Sequence, residues 1–245
     1  MNTLRKVFSA DLRSLALFRV GLGVLILADL FIRSRFLEAH YTDFGVLPLS
    51  VIFEKLNFPQ YFSVHYMNGH YPFQVILFVI QALLAVSLLL GYRTRLVTVL
   101  SWYMMISLNM RNSQVLQGGD VLLRMLLFWA IFLPTNLRFS LDLVYCKPEF
   151  RKKAYEQSSH FSVASFAVMA QVFVLYFSTA VLKMHESWVS KGTALHYVMH
   201  LESFLTPFGL WFAQFSHLFK PLTQGVWLWE MFGPCLLYTS DAADE

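Results

Sequence analysis

Residues 73–90 read FQVILFVIQALLAVSLLL, an apolar run without one charged side chain. Its polar residues are Gln74, Gln81 and Ser87. About 18 or more uncharged apolar residues in a row read as a helix that crosses a bilayer. Directly after it, GYRTR (residues 91–95) makes a tight basic turn, and Leu96–Asn109 forms a second apolar stretch. The chain therefore turns back on itself as a hairpin of membrane helices. Composition agrees. Hydrophobic residues make up 57% and charged residues 14% of the chain, against about 25% charged in a soluble domain. Mean hydropathy is +0.52. The net charge of +4 is modest and no long basic run occurs, so nucleic acid is not an expected partner. The expected partner is the lipid bilayer.

Outward from this hairpin, further stretches repeat the pattern. Ser14–Ile32 forms a first span after the short basic N-terminus. It is longer than a signal peptide's apolar region and lacks a small-residue cleavage site, so it is expected to be retained. Gly21 and Gly23 give it a smooth patch for a close helix neighbour. Residues 33–72 form a polar and aromatic connection. Asp120–Leu133, stopped by Pro134, and Ser162–Lys183 are the fourth and fifth spans. The third and fourth are short against the roughly 20 residues needed to span a bilayer core. Residues 184–220 are rich in Trp and Phe and broken by Gly192 and Pro207, which suits an interfacial or re-entrant segment. Leu222–Pro234 begins a sixth span. The expected fold is all-α, a polytopic bundle of about six transmembrane helices.

Basic residues set the orientation. Ten lie in three short segments, around Arg5–Arg13, Arg93–Arg95 and Arg138–Lys153, and six are spread over the opposite loops. The positive-inside rule then puts the N-terminus in the cytoplasm.

Charge inside the spans marks the candidate sites. A charged side chain at mid-bilayer costs at least about 2.5 kcal/mol, so such residues face the bundle interior. Arg19 and Asp29 lie in the first span, about 15 Å apart along a helix, so Arg19 is expected to meet another helix rather than Asp29. In GGDVLLR, residues 118–124, Asp120 suits a helix N-cap and Arg124 lies one turn on, on the same face. Two readings stand: a cap with a neutralised arginine, or a clamp for an anion or substrate. Tyr176, Thr179 and Lys183 form one polar stripe on the fifth span. Lys183 is either an interfacial anchor or a desolvated lysine able to act as a base; Glu186, three residues on, could pair with it instead, which would keep it charged. His196 and His200 have helical metal-ligand spacing, with Glu202 nearby, but too few ligands cluster for a metal site. Glu230 falls in the sixth span without a nameable partner.

Together, LALFRVGLGVLILADL, YTDFGVLP, LGYRTRLVTVLSW, RNSQVLQGGDVLLRMLLFWAIFLP, RFSLD and YFSTAVLKMHESWVSKGTALHY resemble the HTTM (horizontally transferred transmembrane) domain family. That family includes the vitamin K-dependent γ-carboxylase and its bacterial relatives. The resemblance covers residues 12–234 and implies a multi-helix domain of the bacterial inner membrane. It also implies a carboxylase-like activity in which a lysine after a Tyr-Phe pair deprotonates a vitamin K hydroquinone. Lys183, after Tyr176-Phe177 and before Trp188, holds that position. The quinone would be the cofactor and a peptide or quinone the substrate. The carboxylase's histidine falls near Gly119, where no imidazole stands, and its large lumenal region has no counterpart. A second branch of the family resembles a factor that matures a secreted peptide toxin, which implies a non-enzymatic membrane partner instead.

Residues 235–245, CLLYTSDAADE, shift abruptly to small and acidic side chains. The string resembles one reading frame of a transposon-based sequencing adapter. The membrane domain is accordingly expected to occupy residues 1–234, with Cys146 its one native cysteine and no intrachain disulfide.

Overall fold

The computed structural model describes residues 8–55, 63–201 and 206–239. The chain divides into an N-terminal unit, residues 9–166, and a C-terminal unit, residues 167–245 with the first eight residues.

In the N-terminal unit a two-residue strand β1 (Ala10–Asp11) leads into α1 (Leu12–Ser34). Asp11 caps α1 by accepting from the Arg13 and Ser14 amides at 2.6 and 3.2 Å. Two short helices follow, α2 (Leu37–Tyr41) and α3 (Leu49–Lys55). The quoted apolar run becomes α4 (Tyr71–Leu90), with Pro72 in its first turn and Gly91 as its C-cap at φ 70°. GYRTR reverses the chain into α5 (Thr94–Arg111). Arg93 offers no side-chain cap. Asp142 supplies it from afar, accepting from the Arg93 and Thr94 amides at 2.6 and 2.8 Å. After α5 come α6 (Gly118–Ala130), α7 (Leu141–Tyr145) and α8 (Pro148–Glu156). Strand β2 (Ser159–His160) pairs antiparallel with β1, Ala10 opposite His160. This small ladder is the one described departure from an all-helical fold.

Helices α1, α4, α5 and α6 share one core. Leu22, Ile26 and Leu30 of α1 pack with Phe78, Ala85 and Leu88 of α4, Met105 and Leu108 of α5, and Leu123 and Leu127 of α6. Gly23 lies within 3.1 Å, measured from an ideal Cβ, of the Ala85 carbonyl and the Leu89 side chain. Gly21 meets nothing within 4 Å. Of the two expected glycines, only Gly23 makes the close approach. Leu17, Phe31, Ile76 and Leu83 are more than half exposed. A continuous exposed apolar surface of this kind belongs against lipid rather than water.

The C-terminal unit takes up α9 (Val163–Leu182) from Ala167 onward and adds α10 (Ala194–Val198), α11 (Pro207–Ala213) and α12 (Phe219–Thr239). Trp227 of α12 donates to the Ala180 carbonyl of α9 at 3.1 Å, and Gln224 donates to Val189 at 2.9 Å. The aromatic stretch expected to be re-entrant holds the two short helices α10 and α11. α12 continues through Pro234, where the sixth span was expected to break off.

Three described helices, α1, α4 and α9, are long and apolar enough to cross a membrane. α5, α6 and α12 occupy the other three expected places. α6 has only 13 residues, so the expected six spans are supported for three.

Candidate functional site

Arg33, in the last turn of α1, organises the polar end of the N-terminal unit. Its Nε donates to both carboxylate oxygens of Asp29, one turn back, at 2.8 Å. Nη1 donates to the Tyr41 hydroxyl of α2 at 2.6 Å, and Nη2 to Asp120 Oδ1 of α6. Asp120 Oδ2 accepts from the Gln117 amide at 2.8 Å, which closes the first turn of α6. Tyr41 is 1% exposed and sits edge-on to Phe78, centroids 5.5 Å apart. Burial pushes its hydroxyl above the usual range, against the pull of Arg33, so it stays protonated and can donate onward.

These groups form one wall of a cavity of about 680 Å³. Leu25, Ile32, Phe36, Leu122 and Leu126 supply apolar walls, and His40 and Gly119 complete the polar end. An apolar cavity of some hundreds of Å³ with a few convergent polar groups is the usual form of a small-molecule site.

The expected Asp120–Arg124 pair does not form. Asp120 turns back toward the start of its helix, as side chains in a helix do, and both its oxygens are engaged there. Arg124 instead lines a separate pocket of about 360 Å³ with Trp102, Ile106 and Phe128. Arg19 meets another helix, as expected. It is 1% exposed, and its guanidinium donates to the Leu88 and Leu89 carbonyls at the end of α4, to Thr135 at 3.2 Å and to Phe139 at 2.7 Å. It therefore closes the C-terminus of α4, where carbonyls lack helical partners.

A second polar cluster lies in the C-terminal unit. Lys183 Nζ donates to Glu230 Oε1 at 2.6 Å and Oε2 at 2.8 Å. The same ammonium stands 4.6 Å from the Trp188 ring centroid. Glu186, the expected neighbour, pairs with Lys191 instead at 2.7 Å. Thr179 turns its hydroxyl to its own helix, donating toward the Leu175 and Tyr176 carbonyls, and Tyr176 is 41% exposed. The stripe thus ends in the part-buried ion pair of Lys183. His196 and His200 stack with centroids 4.3 Å apart. No group of three or more metal-ligand side chains assembles among the described residues, and Glu202 lies outside them.

The sequence profile of the HTTM domain matches residues 8–242. The chain belongs to the HTTM domain family. No curated protein and no solved structure matches it. Within this HTTM domain, sequence reasoning missed Arg33 and Tyr41 and left Glu230 without a partner. Asp29 and Arg33 are spaced i, i+4, a signal that was available in the sequence. Glu230 stands 47 residues from Lys183, and no local pattern connects them. The arrangement offers two features. The cavity joins apolar walls to a polar end, and Lys183 with Glu230 forms a partly buried ion pair.

Proposed function

We propose that this HTTM-domain protein is a multi-pass enzyme of the inner membrane, with its N-terminus in the cytoplasm. It acts on a lipid-soluble quinone, with Lys183 as the residue that takes the substrate's proton. One observation carries the reading. The Lys183 ammonium is bound by Glu230 and faces the Trp188 ring, which favours a partnered lysine over an interfacial anchor. The cavity beside Arg33, within the N-terminal unit, offers room for a lipid-soluble molecule. Its apolar walls suit an isoprenoid-like tail, and Tyr41 and the carboxylates suit a ring bearing oxygens. The position at which the resemblance places the carboxylase's histidine, Gly119, lines this cavity.

Lys183→Ala and Lys183→Arg test the proposal, with oxygen uptake on a short-chain naphthohydroquinone as the readout. Both variants should lose activity and remain inserted, because a guanidinium stays protonated and cannot serve as the base. General-base catalysis contributes about 10²–10⁴-fold, which sets the expected loss. Full activity in Lys183→Arg would overturn the assignment and leave Lys183 as an anchor. An unmodified protein without uptake, and without quinone in its lipid extract, would favour a non-enzymatic partner in maturation or export of a secreted peptide.

A further inference from the structure

We propose that a pocket at the start of α5 holds the phosphoryl group of an acidic phospholipid. The pocket has a volume of about 390 Å³ and lies within the N-terminal unit, between the first turn of α5, the segment after α6 and the α8–β2 region. This goes beyond the reading of Lys183 and does not depend on it. α4 is long and apolar enough to cross a membrane. Its end at Leu90 and the start of α5 at Thr94 therefore lie at a membrane face, at the level of the lipid head groups.

The lining is chosen for an anion. Arg95 and His160 contribute to it, and no described carboxylate does. Neither side chain forms an ion pair with a described residue. Thr94 is 3% exposed, and its hydroxyl is buried with no hydrogen-bond partner among the described residues. The Thr98 hydroxyl is engaged by the Thr94 carbonyl at 2.7 Å, and the Thr94 amide by Asp142. The Thr94 hydroxyl is thus left to donate into the pocket. A buried hydroxyl without an acceptor is costly, and a phosphoryl oxygen supplies the acceptor. A guanidinium matches two further oxygens with parallel N–H donors, and the imidazole adds a ring N–H. Asp142 stands outside the lining, with its carboxylate held on the Arg93 and Thr94 amides. The remaining wall decides between a lipid and a free anion. Ile131, Phe132, Leu133 and Phe150 make it apolar, and Phe132 and Phe150 are about half exposed. A phosphate ion would leave that wall bare, whereas the glycerol and acyl chains of a lipid cover it. Arg93 precedes Thr94, and Arg151, Lys152 and Lys153 follow Phe150. Basic clusters beside a span draw acidic lipids to the surface.

Native mass spectrometry of the detergent-purified full chain, titrated with phosphatidylglycerol, phosphatidylcholine or inorganic phosphate, tests this proposal. The unmodified protein should bind phosphatidylglycerol in preference to phosphatidylcholine. Arg95→Gln should weaken phosphatidylglycerol binding about fivefold, the worth of one cationic group at an anionic surface, and leave phosphatidylcholine unchanged. Thr94→Val removes the hydroxyl at constant charge and similar shape. It should weaken phosphatidylglycerol about threefold, the worth of one hydrogen bond, without lowering the melting temperature of the lipid-free protein. Equal binding of the two lipids by the unmodified protein would overturn the proposal. A loss in Arg95→Gln with none in Thr94→Val would mean attraction by surface charge alone and would also overturn it. Inorganic phosphate that displaces phosphatidylglycerol completely would give the pocket to a free anion and overturn the lipid assignment. Should a variant fail to accumulate, the unmodified protein decides. A photoreactive phosphatidylglycerol should label the peptides that carry Phe132 or Phe150, and label confined to other peptides overturns the proposal. Oxygen uptake enters none of these readouts, so failure here leaves the reading of Lys183 as it stands.

Discussion

At the scale of single residues, burial fixes chemistry that solvent would leave open. His65 is fully buried. Its Nδ1 meets Gln74 Oε1 at 2.7 Å, and Gln74 Nε2 donates to the His65 and Asn68 carbonyls. With Oε1 the acceptor, Nδ1 carries the proton of a neutral ring. Burial pushes the imidazole down to about 4, against about 6.5 in an unfolded chain. Between those values the unfolded chain binds more protons than the folded one, so stability rises with pH and is lost as pH falls. The gap corresponds to about 3 kcal/mol. The melting temperature of the detergent-purified protein should therefore drop between pH 6.5 and pH 4 by more than that of His65→Asn, which cannot titrate. Parallel profiles for the two proteins would refute the role of His65. Asp120 shows a different lesson. Arg124 is near it in sequence, yet the guanidinium that claims it comes from Arg33, 87 residues away.

Among the helices, close contact rests on small residues in particular places. An ideal Cβ on Gly23 would stand 3.1 Å from the backbone oxygen of Ala85, and a backbone atom cannot swing aside. Gly23→Val should destabilise the protein by about 1–3 kcal/mol through overpacking. Gly21→Ala, whose new methyl meets nothing within 4 Å, should be neutral or gain up to about 1 kcal/mol of helix propensity. Thermal melts of the pair check this, and equal losses at both positions would show that α1 and α4 pack otherwise. The same contrast explains what was legible in the sequence. α1, α4 and α9 were read because continuous apolarity announces them. The short helices α2, α3, α7 and α8 were missed because five to nine residues carry too little periodicity. Lys183 was readable as a charge at the end of a span, but its partner was not, since pairing between distant helices is a tertiary choice.

Across the N-terminal unit, contacts tie together the two basic segments at residues 93–95 and 138–153. Asp142 ties the GYRTR turn to the segment after α6, and Arg138 holds α8 by donating to the Ala154 and Gln157 carbonyls at 2.7 Å. β2 returns to β1 at the foot of α1. A cysteine placed at the exposed position of Lys152 should accordingly resist an impermeant maleimide in intact cells and react after permeabilisation. Ready labelling in intact cells would reverse the topology. The partners of Arg19 carry a further consequence, for the order of synthesis. Its guanidinium belongs to α1, yet its acceptors lie 69, 70, 116 and 120 residues downstream. During translation α1 therefore carries an unpartnered cation that the lipid interior penalises. Arg19 gains its full set of acceptors only once Phe139 has been made. The contacts that satisfy Arg19 therefore join segments far apart in the chain.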